Sequence, residues 1–169
     1  HPPMPLPTPS SVVVMGVAGS GKSTLAARVA ARLHRDWLEG DAFHSEASRR
    51  KMAQGEPLTD ADRASWLAAL CGELARRPGV ILTCSALKRS YREQLRQAAP
   101  GLRFAFLALD PAEAGRRVRT RGGHFFAASL IDSQFDTLES PDGEPGVLRL
   151  DARQPLATLE AAVADWLTA

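Results

Sequence analysis

The stretch that most constrains this chain is GVAGSGKS, Gly16 to Ser23, entered from the apolar run VVVM and left through TLAARVAARLH. It has the form G-x-x-x-x-G-K-[ST] in the setting that motif needs, a buried-strand run before it and an amphipathic helix after it. Gly16, Gly19 and Gly21 can take backbone angles that residues with a Cβ resist, so successive N–H groups can turn inward around phosphate oxygens. A helix starting near Lys22 brings the positive end of its dipole to the same point. In such a loop Lys22 reaches the β- and γ-phosphates of a nucleotide and the Ser23 hydroxyl ligates Mg²⁺. A Gly-rich turn that binds nothing has the same outline. With glycine at roughly 7% of residues, however, a chance match is on the order of 1% or less for a chain this long.

Composition narrows the rest. A length of 169 residues suits one domain with one well-buried core. Hydrophobic content of 44% and charged content of 24% are those of an ordinary soluble globular protein. A net charge of +2 argues for neither nucleic acid nor membrane as partner. Lys22, Lys51 and Lys88 are the only lysines, the other basic residues being arginines. Two cysteines, Cys71 and Cys84, imply no disulfide framework, and no run approaches the roughly 18 apolar residues of a membrane span. The opening HPPMPLPTPS has no charged segment followed by an apolar one, so it is not a signal peptide. Residues 1–10 are expected to form a disordered, Pro-rich tail, residues 11–169 a single domain, in a reducing, cytoplasmic setting.

Along the chain, strand and helix patterns alternate. Val12 to Met15 is a short, continuously apolar strand, as one covered on both faces would be. Lys22 to His34 is a helix with Leu25, Val29 and Leu33 at helical spacing. Asp36 to Asp41 is a second strand, followed by a helical pattern to about Gln54 that Gly55 and Pro57 stop. Thr59 to Asp62 has the form of a capping box ahead of a helix to about Arg77. GVILTCS is the third strand, with a helix from near Leu87; LRFAFLALD is the fourth, with Pro111 in the first turn of the next helix. Gly122 and Gly123 break that helix, and a loop and helix follow. VLRLD is the fifth strand, and Leu156 to Leu167 closes the chain as an amphipathic helix. This alternation predicts a parallel sheet covered by helices on both faces, with ligands outside the carboxyl ends of the strands.

The unusual residues fall in those loops. Asp41, at the end of the second strand, either accepts the proton of a substrate hydroxyl or caps the next helix. His44 either bonds a polyhydroxylated substrate or pairs with the backbone. Lys88, Arg89 and Arg92 put positive charge near one helix start, as an anion grip or as a surface cluster. Arg116, Arg117, Arg119 and Arg121 crowd the segment before the two glycines. Arginine stacks on bases and clamps phosphoryl groups, so at least one is expected on the nucleotide, with the glycines marking a closing lid. Trp37, Trp66 and Trp166, with Phe104, Phe106 and Phe135, read as core or hinge packing rather than ligand stacking.

Together, MGVAGSGKST, LEGDAFH, RRKMAQGEPLTDADRASWL, CSALKRSYREQLR, RTRGGHFF and SQFDTLESP resemble the blocks of the small P-loop gluconokinases, relatives of shikimate and nucleoside monophosphate kinases. The resemblance runs from Met15 almost to the end, and DARQPL, Asp151 to Leu156, is similar to the family's adenine-side loop. It implies an α/β fold of the P-loop NTPase, nucleoside monophosphate kinase-like type: a five-stranded parallel sheet of order 2-3-1-4-5, helices on both faces, and a lid at about 119–130. It implies ATP and Mg²⁺ as cofactors and D-gluconate, phosphorylated at its 6-hydroxyl, as the small-molecule substrate. The phosphate loop becomes Gly16, Ala18, Gly19, Ser20, Gly21, Lys22, Ser23 and Thr24, with Ser23 on the metal. Lys22, Asp41 and Arg121 become the catalytic residues, Arg121 over the phosphates and Arg117 on the adenine. Asp41, His44, Lys88, Arg92, His124 and Gln134 become the substrate side, with Lys88 or Arg92 on the carboxylate. Members of this family are often homodimers, and no interface is legible in the sequence.

The chain departs from the family pattern in places. Glu39 stands where Asp usually precedes Gly-Asp. Ser45, Ser48 and Ser65 replace an expected Pro, Asn and Pro, and Gly122 adds flexibility beside the lid. Other small-molecule kinases, for shikimate or adenylylsulfate, are the nearest rivals; a nucleotide-binding regulatory module is the other. CSALK in place of a Gly-rich turn after the third strand, and Ala42-Phe43-His44 after the Gly-Asp, set this chain apart from the two kinases.

Overall fold

Val12–Met15 (β1) is apolar throughout because it is the central strand: every residue in it is buried. It pairs in parallel with Ile81–Thr83 (β3) on one side and Arg103–Ala108 (β4) on the other. Trp37–Glu39 (β2) pairs with β3, and Val147–Asp151 (β5) with β4, all in parallel. The sheet order is β2-β3-β1-β4-β5, as the family resemblance implied. This computed structural model describes residues 9–120 and 128–169, and of residues 118–120 and 128–130 the backbone only.

Alternation along the strands divides the core into two layers. Val13, Met15, Leu82, Phe104 and Phe106 face Asp60–Arg76 (α3) and Arg89–Ala98 (α4), meeting Trp66, Leu70, Tyr91 and Leu95. Val12, Val14, Ile81, Ala105 and Leu107 face Lys22–Leu33 (α1) and Leu156–Thr168 (α7), meeting Leu25, Val29, Leu159 and Val163. A third cluster lies under the loop after β1, where Val17, Ala18 and Leu87 meet Ala114 of Pro111–Thr120 (α5) and Ile131 of Ala128–Thr137 (α6).

Several expected boundaries move. The second strand ends at Glu39, and Gly40–Phe43 is a tight 3-10 turn that carries Asp41. The helix that follows is Glu46–Ala53 (α2). The helix expected from Leu87 begins at Arg89. Of the tail expected at 1–10, residues 1–8 lie outside the described residues; the Ser10 carbonyl accepts a hydrogen bond from Arg35. Of the lid expected at about 119–130, residues 121–127 lie outside them, Arg121 and His124 included. Among the described residues no helix is long and apolar enough to cross a membrane.

The capping box at the head of α3 forms in full. The Asp62 amide donates to Thr59 Oγ1 at 3.1 Å, and the Thr59 amide donates to Asp62 Oδ2 at 3.0 Å. Lys51 of α2 adds a bond to the same carboxylate at 2.8 Å and, with the Thr59 amide, holds its pKa down at about 2. Thr59→Ala removes half of the box and is expected to destabilise the protein by about 1 kcal/mol in urea unfolding.

Candidate functional site

The loops at the carboxyl ends of β1, β2 and β3 converge on one cleft, as a parallel sheet requires. At its centre is the loop between β1 and α1. Gly16 has φ +149°, and a Cβ there would lie 2.8 Å from Ser20 Oγ and 2.9 Å from the Leu107 carbonyl, so only glycine fits. Gly21, the N-cap of α1, offers no side chain to the first turn, whose N–H groups are left for a ligand. Ser20 Oγ is buried with no partner among the described residues, a further polar atom for an anion to satisfy. Thr24 is exposed in the first turn of α1. Lys22 Nζ donates to the carbonyls of Gly16 at 2.9 Å and Val17 at 3.1 Å. Burial lowers the Lys22 pKa, against the pull of Asp41, Cys84 and Glu39.

Two long-range contacts flank this loop. The Ala18 amide donates to Gln134 Oε1 of α6 at 2.6 Å. Arg117 of α5 donates from Nη1 to the carbonyls of Gly19 and Ser20, and from Nη2 to that of Ala152 at 2.8 Å. It thus joins the phosphate loop to the segment after β5 that resembles an adenine-side loop. Glu113 pairs with both Arg117 and Arg116, and of the two Arg116 is the exposed one.

Glu39 occupies the junction of three elements. The Ser23 hydroxyl donates to Glu39 Oε2, and Thr83 Oγ1 donates to Glu39 Oε1 at 2.6 Å. The Gly40 amide donates back to Thr83 Oγ1 at 3.1 Å. A Cβ on Gly40 would fall 1.9 Å from the Thr83 carbonyl, so glycine permits the close approach of this turn to β3. The Ser23 hydroxyl and the carboxylates of Glu39, at the end of β2, and Asp41, in the turn after it, are hard oxygen donors of the kind Mg²⁺ takes beside nucleotide phosphates. Among the described residues no three His, Cys, Asp or Glu side chains form a self-sufficient metal cage.

Asp41 and His44 face a pocket between this turn, α3, α4 and α6, lined also by Met52, Arg63, Trp66, Tyr91 and Gln134. Trp66 Nε1 donates to the Gly40 carbonyl at 2.8 Å, and the His44 ring stacks on the indole at 4.4 Å with 13° between planes. Trp66 is therefore both core and pocket wall, where the sequence suggested core alone. His44 Nε2 lies 3.7 Å from Asp41 Oδ1, and His44 Nδ1 is buried without a partner. Burial alone would raise the Asp41 pKa. His44, Lys22 and Arg49 outweigh it and bring the carboxyl below its ordinary 3.8. Asp41 does not cap α2; Ser45 does, its Oγ accepting from the Ser48 amide at 3.1 Å. Ser48, one of the departures from the family pattern, is buried with its hydroxyl bonded to Ser45.

The basic cluster after β3 does not act together. Arg92 is fully buried and donates four hydrogen bonds: two to Glu144, one to the Ala86 carbonyl and one to the Glu139 carbonyl. Its guanidinium has no exposed surface, its four bonds tie it to Glu144 and two backbone carbonyls, and it is not among the residues that line the pocket with Asp41. Lys88 is bonded to Asp60 at 3.0 Å, and Arg89 is exposed beside Glu93. Burial pushes the Cys84 thiol up to about 12, so it stays protonated. Arg63 was overlooked in the sequence, although its spacing of three from Trp66 at the start of α3 places both on one helix face.

With this geometry in view, comparison with known proteins is informative. The profile of a family described as AAA domain matches residues 12–141. The chain is 46% identical over 161 residues to a gluconokinase of Gluconobacter oxydans, covering 92% of this chain and 90% of that protein. It is 42% identical over 158 residues to the thermoresistant gluconokinase of Escherichia coli, covering 90% of each. Among solved structures, a gluconokinase from Sinorhizobium meliloti superposes with a TM-score of 0.89 at 45% identity, covering 96% of this chain and 94% of the other.

The Arg92–Glu144 pair gives this region a measurable signature. Glu144→Gln leaves a buried guanidinium short of its counter-charge, and a loss of about 3–5 kcal/mol in unfolding free energy is expected. Urea titration of the purified variant measures it, and a loss under about 1 kcal/mol contradicts a structural role for the pair.

Proposed function

The chain belongs to the gluconokinase family, and on that premise we propose that it transfers the γ-phosphoryl group of ATP to the 6-hydroxyl of D-gluconate, giving 6-phospho-D-gluconate and ADP. The observation that carries the reading is the identity of 46% across 92% of the chain with a gluconokinase. The cleft agrees with it: a phosphate loop on one side, and on the other a pocket mixing aromatic walls with Asp41, His44, Arg63 and Gln134. ATP is the donor that a P-loop kinase uses, and a small molecule is the acceptor.

Phosphoryl transfer asks little covalent chemistry of a protein; positioning and charge neutralisation carry the rate. Lys22, held on the Gly16 and Val17 carbonyls, is the cation this loop offers to the β- and γ-phosphates of a bound nucleotide. Ser23, with Glu39 behind it and Asp41 nearby in sequence, would hold Mg²⁺, which supplies charge neutralisation at the transferring phosphoryl group. Asp41 is ionised at neutral pH and accepts the proton of the attacking hydroxyl. His44, braced on Trp66, keeps that carboxylate oriented and lines the acceptor side of the pocket. Arg117 takes the base side of the nucleotide. By resemblance alone, Arg121 closes over the phosphates and His124 joins the acceptor side.

An ADP-release assay against D-gluconate, shikimate and adenylylsulfate tests the activity. ADP formation that depends on gluconate is expected, and absence of that dependence refutes the reading. Asp41→Asn is expected to lower kcat roughly 100-fold or more, with the KM for ATP little changed. Because the folded pKa of Asp41 lies below 3.8, its base form is lost only as pH falls through that lowered value. The kcat profile of the native protein should therefore show no acid limb from Asp41 above about pH 5.

A further inference from the structure

The acceptor proposed above carries its charge at one end and its reacting hydroxyl at the other, so the pocket needs a cation that is not already neutralised. Lys88 and Arg92, the two groups the sequence offered, do not supply it. The Lys88 ammonium is bonded to Asp60 at 3.0 Å, and Arg92 is buried against Glu144. Among the described residues, Arg63 is the one Lys or Arg that lines the pocket with Asp41 and His44. Its guanidinium donates to Tyr91 Oη at 3.4 Å and lies 5.8 Å from the centre of that ring, with no ion pair to a described carboxylate. Tyr91 Oη in turn donates to Asp60 Oδ1 at 2.6 Å, which leaves its oxygen free to accept from Arg63.

We infer that Arg63 is the residue that binds the carboxylate of the sugar-acid acceptor, an assignment that rests on the kinase reading above. Three features support it. The planar fork of a guanidinium matches a carboxylate with two parallel hydrogen bonds, which a lysine cannot do. The residue sits in the first turn of α3, a segment tied down by the Thr59–Asp62 box and the Lys51–Asp62 bond. Trp66, on the same face, is fastened to the Gly40 carbonyl beside Asp41, so cation and base belong to one braced unit. Charge also sets the direction of binding. Asp41 repels a carboxylate and Arg63 attracts it, so a chain with one anionic and one hydroxyl end is turned with its hydroxyl toward the donor.

Steady-state kinetics of the full-length protein with Arg63→Gln, Arg63→Lys and Lys88→Gln tests the assignment. The acceptors are D-gluconate and D-glucitol, the neutral polyol that lacks the carboxylate. Arg63→Gln is expected to raise the gluconate KM about 10- to 100-fold, the size of a charged hydrogen-bond pair, and to leave the ATP KM within about twofold. The preference for gluconate over glucitol in kcat/KM should shrink by the same factor, which loss of fold alone would not cause. Arg63→Lys, keeping charge without the fork, should fall between. An unmoved gluconate KM in Arg63→Gln, or a loss of preference in Lys88→Gln instead, overturns the assignment while leaving the kinase reading intact. Failure of the native protein to turn over gluconate overturns both.

Discussion

Donor and acceptor halves of the cleft are joined through one side chain, Glu39. Its carboxylate receives the Ser23 hydroxyl from the head of α1 and the Thr83 hydroxyl from the end of β3, so three elements share one half-buried junction. The backbone around it allows no slack: Gly40 lies too close to the Thr83 carbonyl for any Cβ. Asp41 follows directly, so the position of the proposed base relative to the phosphate loop is set by the same bonds that close the β2–β3 edge. Trp66 reaches in from α3 to the Gly40 carbonyl and extends this constraint to the acceptor pocket. Rigid placement of this kind is what in-line phosphoryl transfer needs from a protein.

The arginines fall into architectural and functional groups according to what surrounds them. Arg92 lies at the foot of α4 with Glu144 and two carbonyls and works as a strut. Arg116 and Arg149 are surface partners of Glu113 and Asp142, worth little in stability. Arg117 bridges the phosphate loop and the Ala152 carbonyl, tying the β1–α1 loop to the segment after β5. Arg63 keeps its charge for the pocket because Asp60 is occupied by Lys88 and Tyr91. Burial and the supply of nearby carboxylates, rather than residue type, divide these roles.

Much of this was legible in the chain. The phosphate loop announces itself because its chemistry demands glycines, a lysine and a hydroxyl at set spacing with strand and helix around them. The alternation of short apolar runs with amphipathic segments dictates a parallel α/β sheet, and the box at Thr59 to Asp62 marks the start of α3 to the residue. The strand order came with the family blocks. Local hydrogen-bonding chemistry and periodicity write themselves into neighbouring residues, and so they can be read there.

Partners distant in the chain are set by the fold alone. Lys88 and Arg92 look alike in sequence, and Arg92 becomes a buried strut because Glu144, 52 residues away, folds against it. Asp41 could have been a helix cap until Ser45 took that place and His44 stacked on Trp66 beside it. Glu39, a departure from the family pattern, takes its partners, Ser23 and Thr83, from two other elements. Local signals in the chain suffice to specify a phosphate-binding α/β domain. Which charges remain free to meet a substrate depends on long-range packing, where each carboxylate can neutralise only what the fold brings beside it.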